Sequence, residues 1–351
     1  MRPTSHKRFF GLFLSFMIAA VFFAGAGCRP DPEDNCTGID NATTPAPGFA
    51  AVDTFATVFG RNNDPADMYY PADADNATKL PMALLLQGGR CDKRYYSMFA
   101  TEVAKYGFIV AVPNHYHAFK LGPIDTDGLF SEGTQLYDYI DYMKEQNDNI
   151  TSPLYNKVDT GKLMMLGHSY GAACVVYAMQ NNCEYPFCPE DEVAAFKRPE
   201  ELKAAALCGI SSKPRGKPFD YRIYPTENDG IPLAFINGSL DGNISSYAAR
   251  ISYNRIADPP KMLVFIEGAN HYASLDVNNP PAPGEGLGKG PGEDPNVPTL
   301  SQEESTGIAA RWCALFLRAY GLDDPLAKMY VEQTGKCLDD QVEVLIETVQ
   351  P

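Results

Sequence analysis

Basic charge is in short supply in this chain. Lys and Arg number 29 against 44 Asp and Glu, a formal net charge of −15. No basic patch with interleaved aromatics occurs, so the electrostatic footprint of a nucleic-acid partner is missing. The nine cysteines include no C-x-x-C pair, and the histidines are few and scattered, so the sequence predicts no metal site. There is one tryptophan, Trp312, in an amphipathic C-terminal segment that reads as core packing. Neither an internal repeat nor a second domain is found. The scarcest informative residue is histidine. The 351 residues contain five, His6, His115, His117, His168 and His271, and so small a set limits what can serve as a general base.

Apolar residues make up 45% of the chain, enough for a substantial core. Arg2, Lys7 and Arg8 precede an apolar run from Phe9 to Ala26 that ends in small residues. That is the pattern of a secretory signal peptide over 1–27, with a membrane anchor as the alternative. Ala24-x-Ala26 suits ordinary signal peptidase, whereas Gly25-Ala26-Gly27-Cys28 resembles a lipobox that would place a lipid on Cys28. Residues 28–46 then read as a tether and 47–351 as a single domain. The expected location is exported, either secreted or periplasmic, or lipid-anchored to the cell envelope. Setting Cys28 aside leaves an even number of cysteines. Cys183 and Cys188 bracket a short loop and form one expected disulfide; Cys313 with Cys337 is the second. Cys174 and Cys208 read as free thiols in apolar elements.

Short continuous apolar runs, Met82–Leu86, Phe108–Pro113, Leu163–Leu166, Lys203–Cys208, Leu233–Ile236 and Lys261–Ile266, suit strands buried on both faces. Phe49–Phe59 and Ala66–Pro71 precede them as strands. Helices are expected over Arg94–Lys105, Ser131–Gln146, Tyr170–Met179 and Ser301–Tyr320. Alternation of this kind predicts an α/β fold, a mostly parallel central sheet with helices on both faces. Asn278–Pro298 is rich in Pro, Gly and Asn and cannot be a core element. It reads as a solvated insertion or, because it follows His271 closely, as a flap beside a site.

One motif carries chemistry. Gly167-His168-Ser169-Tyr170-Gly171 has the form G-x-S-x-G, after an apolar run and before an apolar helix, the context of a nucleophile elbow. A serine hydroxyl needs a base to take its proton, and the base needs a carboxylate to orient it. In elbow-type hydrolases the order is Ser, then Asp or Glu, then His. Only His271 follows Ser169, just past a buried strand, where sheet-top loops present reacting groups. Asp241, in the turn after Leu233–Ile236, is the expected acid, with Asp229 and Asp276 as rivals. The backbone N–H groups of Tyr170 and Gly89 are the expected oxyanion donors, Arg90 being the alternative to Gly89. Arg90 and His168 are candidate substrate contacts.

These residues resemble a known family. The chain looks like the α/β-hydrolases grouped with bacterial cutinase-type polyester hydrolases and plant chlorophyllases, from about Pro47 to His271. The likeness includes Tyr69-Tyr70-Pro71, Gly88, Tyr106-Gly107-Phe108-Ile109-Val110 and the Val158-Asp159 upstream of the elbow. It implies an α/β-hydrolase fold, a small-molecule or polymeric ester as substrate, no cofactor, and the same triad and oxyanion residues. Gln87 stands where the family usually has His or Pro, and Gly89 where it often has an aromatic. The expected activity is a serine esterase working through an acyl-enzyme. A non-catalytic surface binding protein on this fold, or an amidase or peptidase, is the alternative.

Overall fold

The computed structural model describes residues 36, 42–75, 77–121, 124–212 and 222–349. Residues Gly38–Pro351 make one compact unit. The expected signal peptide, the Cys28 lipid site and most of the tether lie outside the described residues. Among those described, no helix is long and apolar enough to cross a membrane.

The strands are β1 Val52–Phe59, β2 Asp64–Pro71, β3 Leu80–Leu86, β4 Ile109–Pro113, β5 Tyr116–Leu121, β6 Ile124–Leu129, β7 Val158–His168, β8 Leu202–Cys208, β9 Leu233–Gly238, β10 Lys261–Ile266 and β11 Val342–Glu347. The helices are α1 Ser97–Lys105, α2 Gln135–Asp148, α3 Tyr170–Met179, α4 Ser246–Asn254, α5 Gln302–Gly321, α6 Pro325–Met329 and α7 Gly335–Leu338. Nine strands form one sheet in the order β1-β2-β4-β3-β7-β8-β9-β10-β11. The run from β4 to β10 is parallel, while β1, β2 and β11 add antiparallel edges. A mostly parallel α/β sheet is therefore what the apolar runs produced.

The reason is visible in β3, whose seven residues are all buried. Met82, Leu84 and Leu86 point into one core with Leu136, Tyr139, Ile140 and Met143 of α2. Ala83 and Leu85 point into the other with Phe99 and Val103 of α1 and Trp312 and Phe316 of α5. Strand periodicity of two sends alternate side chains to opposite faces, so a strand covered on both sides must be apolar throughout. Trp312 is fully buried and donates to Asp339 at 3.0 Å, a packing role as expected. Helix α5 starts where its sequence says, with a Ser301–Glu304 capping box.

Several expected features differ. Helix α2 begins at Gln135, not Ser131, because Ser131 and Glu132 turn their side chains inward to Gln87 and His115. The β5–β6 hairpin, α4 and the edge strand β11 add to the elements read from the sequence. β11 is half-exposed along its length, so it carries no continuous apolar run. Cys183 and Cys188 are joined, with Cα atoms 5.6 Å apart. The Cys313–Cys337 pairing is wrong. Cys313 is a free buried thiol on α5 whose Sγ lies 3.8 Å from the Cys208 sulfur, whereas Cys337 is disulfide-bonded, as is Cys36.

Candidate active site

The elbow forms where β7 turns into α3. Ser169 has φ 50° and ψ −111°, a region that costs a non-glycine residue about 1–3 kcal/mol. Its neighbours hold it there. The Ser169 N–H donates to Cys208 O at 3.0 Å, and its carbonyl accepts from Ala173 N at 3.2 Å. Gly171 lets the helix start so close to the sheet. A Cβ at this position would lie 2.5 Å from Gln87 O and nearer still to Leu86 O, so only bare backbone fits. The result is a partly buried serine at the tip of a strained turn.

His271 and Asp241 reach it from neighbouring strands. β9 and β10 pair in parallel with Gly238 opposite Ile266, so the loops that follow them leave the sheet side by side. His271 Nε2 lies 3.0 Å from Ser169 Oγ, and His271 Nδ1 lies 2.9 Å from Asp241 Oδ2. The other Asp241 oxygen accepts from Asn243 N at 2.9 Å and Ile244 N at 2.7 Å. The carboxylate is thus fully buried yet fully hydrogen-bonded. The rivals are occupied elsewhere. Asp229 pairs with Arg198 at the surface, and Asp276 accepts from Ser97 N and Met98 N at the start of α1.

Asp294 belongs to this arrangement and was missed from sequence. Only 4% exposed, it accepts from His271 N at 2.8 Å, Gly242 N at 3.1 Å and Asn296 N at 2.8 Å. One carboxylate therefore ties the loop of Asp241 to the loop of His271. Asn279 Oδ1 accepts from Asp294 N at 2.7 Å, and Asn270 donates to Asn278 Oδ1 at 2.9 Å. The 278–298 segment is irregular and mostly exposed, as a solvated insertion would be, but Asn278, Asn279 and Asp294 near its ends buttress the histidine loop. An aspartate within a Pro/Gly-rich run gave no signal of this.

Gly89 and Tyr170 adjoin. A Cβ on Gly89 would sit 3.4 Å from Tyr170 Cβ and 2.8 Å from the Phe130 ring, so a side chain there is excluded. Among the described residues the Gly89 N–H has no acceptor. The Tyr170 N–H opens α3, at the positive end of the helix dipole. Arg90 is removed as the alternative donor, because its N–H is spent on Leu129 O at 2.5 Å. Its guanidinium lies 5.5 Å from the Phe130 ring centroid, with Nε buried.

His168 is corrected as a substrate contact. It is 1% exposed and works as a brace. Gly88 N donates to the Tyr96 hydroxyl at 2.8 Å, Tyr96 lies 3.0 Å from His168 Nδ1, and His168 Nε2 lies 3.0 Å from His271 O. Burial pushes the Tyr96 phenol well above its ordinary value, so it stays a neutral donor to Nδ1. The Gly88 loop and the His271 loop are therefore linked through the residue next to Ser169. Gln87 is likewise structural. With its amide oriented to suit its neighbours, it donates to Pro113 O at 2.7 Å and accepts from His115 N at 3.1 Å.

A cavity of about 320 Å³ runs beside α3, lined by Ala173, Tyr177, Ile210 and Tyr224 among others. It begins one helical turn from Ser169 and is not lined by the serine itself. A second cavity, of about 340 Å³, holds His115, His117 and Glu132. These three offer ligand atoms all within 4.8 Å of one another, which corrects the reading of the histidines as too scattered for a metal. Burial works against charge on His115, but Asp64 and Glu132 outweigh it and push the imidazole up to about 9. Burial holds His117 below its ordinary value.

The hydroxyl–imidazole–carboxylate chain can carry a proton from Ser169 to His271 while Asp241 fixes the ring. No protein-family model matches the chain, and no curated protein matches it.

Proposed function

We propose that the chain is an exported serine ester hydrolase with an α/β-hydrolase fold. The carrying observation is the hydrogen-bonded line Ser169 Oγ–His271 Nε2 at 3.0 Å and His271 Nδ1–Asp241 Oδ2 at 2.9 Å, built on a serine held at φ 50°. The chain order Ser, Asp, His and the parallel strands beneath the three loops support the fold assignment.

Ser169 Oγ adds to the ester carbonyl while His271 Nε2 takes its proton. Asp241 holds the Nδ1 proton, which keeps the Nε2 lone pair directed at the serine and stabilises the imidazolium that forms. The carbonyl oxygen gains negative charge and is met by the N–H groups of Gly89 and Tyr170; one such donor is worth about 10²–10³ in rate. His271 then gives its proton to the departing alkoxide. Water attacks the acyl-serine with His271 again as base, releasing the acid and restoring Ser169. The substrate class is a small-molecule or polymeric carboxylic ester, and no cofactor enters these steps.

The test is turnover of a short p-nitrophenyl ester. Ser169→Ala should lower kcat by about 10⁴–10⁶ with the fold intact. Wild-type activity in a folded Ser169→Ala variant would overturn the assignment. Failure of a fluorophosphonate to label Ser169 would favour a non-catalytic binding protein, and faster turnover of the matched amide would favour an amidase. Export rests on the amino-terminal pattern, and the mass of the mature amino terminus distinguishes a lipid on Cys28 from simple cleavage.

A further inference from the structure

We propose that His115, His117 and Glu132 form a binding site for a divalent transition-metal cation of the zinc type, built into the base of the β5–β6 hairpin. The spacing His115-x-His117 puts both rings on the same side of an extended segment, and Glu132 returns to them just after β6. His115 Nε2 stands 3.2 Å from Glu132 Oε2, and His117 Nδ1 stands 3.2 Å from Glu132 Oε1. A tetrahedral ion with bonds of ~2.0–2.1 Å needs donor–donor edges of about 3.3 Å. Each imidazole thus stands at about that distance from one Glu132 oxygen, the three ligand atoms lie within 4.8 Å of one another, and small side-chain rotations bring them onto one ion.

The surroundings are those of a metal ligand set. Asp64 Oδ2 lies 2.7 Å from His115 Nδ1, which fixes the ring and turns the Nε2 lone pair towards Glu132. A carboxylate behind a histidine in this way is the usual outer support of a metal-bound imidazole. Gln135 fastens both sides of the cluster, donating to Asp64 at 3.3 Å and accepting from Glu132 N at 2.9 Å. His117 Nδ1 is buried and makes no hydrogen bond, although a carboxylate oxygen is 3.2 Å away. A cation between the two satisfies both. Asp64, His115 and Glu132 are each at least nine-tenths buried, and the nearby Arg61 is engaged by Asp138 and Glu192. Two buried carboxylates, Asp64 and Glu132, therefore converge on the two imidazoles, a setting in which a buried cation is compensated. Two nitrogens and one carboxylate favour zinc, copper or nickel over calcium or magnesium. The cavity of about 340 Å³ beside the cluster admits a water as fourth ligand.

The cation would fasten the hairpin rather than take part in ester cleavage. His115 O accepts from Phe130 N at 2.9 Å, and Leu129 O accepts from Arg90 N at 2.5 Å. The hairpin base is thus tied directly to the Gly88–Arg90 loop.

The experiment uses the tag-free full chain, stripped with EDTA and titrated with ZnCl2 by calorimetry, with thermal melts run alongside. The expected result is one equivalent of zinc and a higher Tm, with no shift from MgCl2 or CaCl2 at the same concentration. His117→Ala should weaken zinc binding at least about tenfold, and Asp64→Asn about 10–100-fold. Equal zinc affinity in wild type and a cooperatively melting His117→Ala variant would overturn the proposal, as would absence of binding to wild type. Should that variant fail to fold, CoCl2 added to the stripped wild type decides. A tetrahedral ligand-field spectrum supports the site, and its absence refutes it.

Discussion

Replacing Asp294 by asparagine tests whether the loop behind His271 is a working part of the site. Asp294 Oδ2 accepts from His271 N at 2.8 Å and Gly242 N at 3.1 Å, while Oδ1 accepts from Asn296 N at 2.8 Å. All three donors are backbone amides, so both oxygens face N–H groups. Asparagine keeps the shape but offers one oxygen, and its NH2 must point at a donor. At least one buried hydrogen bond to a charged acceptor is lost, worth about 1.5–3 kcal/mol. For a domain of this size that lowers Tm by about 2–5 °C. The effect on chemistry is separate. If the backbone at His271 shifts by about 1 Å, the rate falls by about 10²-fold. Because Asp294 meets the histidine and not the ester, the loss should appear in kcat, with KM little changed. The assay is p-nitrophenyl ester kinetics well below the melting temperature, paired with thermal melts. Wild-type kcat and Tm in Asp294→Asn would refute the buttress; a lower Tm with wild-type kcat would show that it holds the loop without positioning the histidine.

Other outcomes follow from the same structure. Gly171→Ala should cost at least about 3 kcal/mol, because its Cβ meets the backbone oxygens of Leu86 and Gln87 and neither can move aside; urea denaturation measures it, and near-wild-type stability would contradict the packing. Cys91, Cys174, Cys208 and Cys313 are buried thiols outside the disulfides, and burial pushes Cys91 up to about 12. A disulfide-exchange reagent should therefore leave all four unmodified in the native chain and reach them on unfolding, as peptide mapping would record. Burial pushes Asp324 up, but Arg318 and the N–H groups of Leu326 and Ala327 outweigh it and leave the carboxyl below its ordinary 3.8. Its folded value is depressed, so its contribution is present above 3.8 and lost as pH falls through the folded value. The Tm gap between wild type and Asp324→Asn should accordingly shrink in acid, and a gap constant down to pH ~2 would contradict the ion pair.

Much of the framework is local and could be read directly. A strand buried on both faces is apolar nearly throughout, so β3 and β4 announce themselves. An elbow needs small residues around its serine because the helix starts against the neighbouring strand, and Gly171 records that contact. The count of histidines left His271 as the expected base, and the turn after β9 left Asp241 as its expected partner. The connections between loops were not legible. Asp294 lies 23 residues beyond His271, and their contact depends on how a long irregular segment folds back over parallel strand ends. His168 looked available because it adjoins the serine, yet the turn sends it into a buried brace with Tyr96. Cys313 seemed able to reach Cys337, but the face of α5 that carries it packs on Cys208. His115, His117 and Glu132 are separated by a hairpin whose pairing alone brings them together. The sequence by itself determined the buried parallel strands, the turn at Ser169 and the order of the three site residues, because hydrophobic period and steric need are written locally. Tertiary structure alone decided which polar groups meet, because a buried hydrogen bond is specified by strand register and loop path, and neither leaves a periodic trace in the chain.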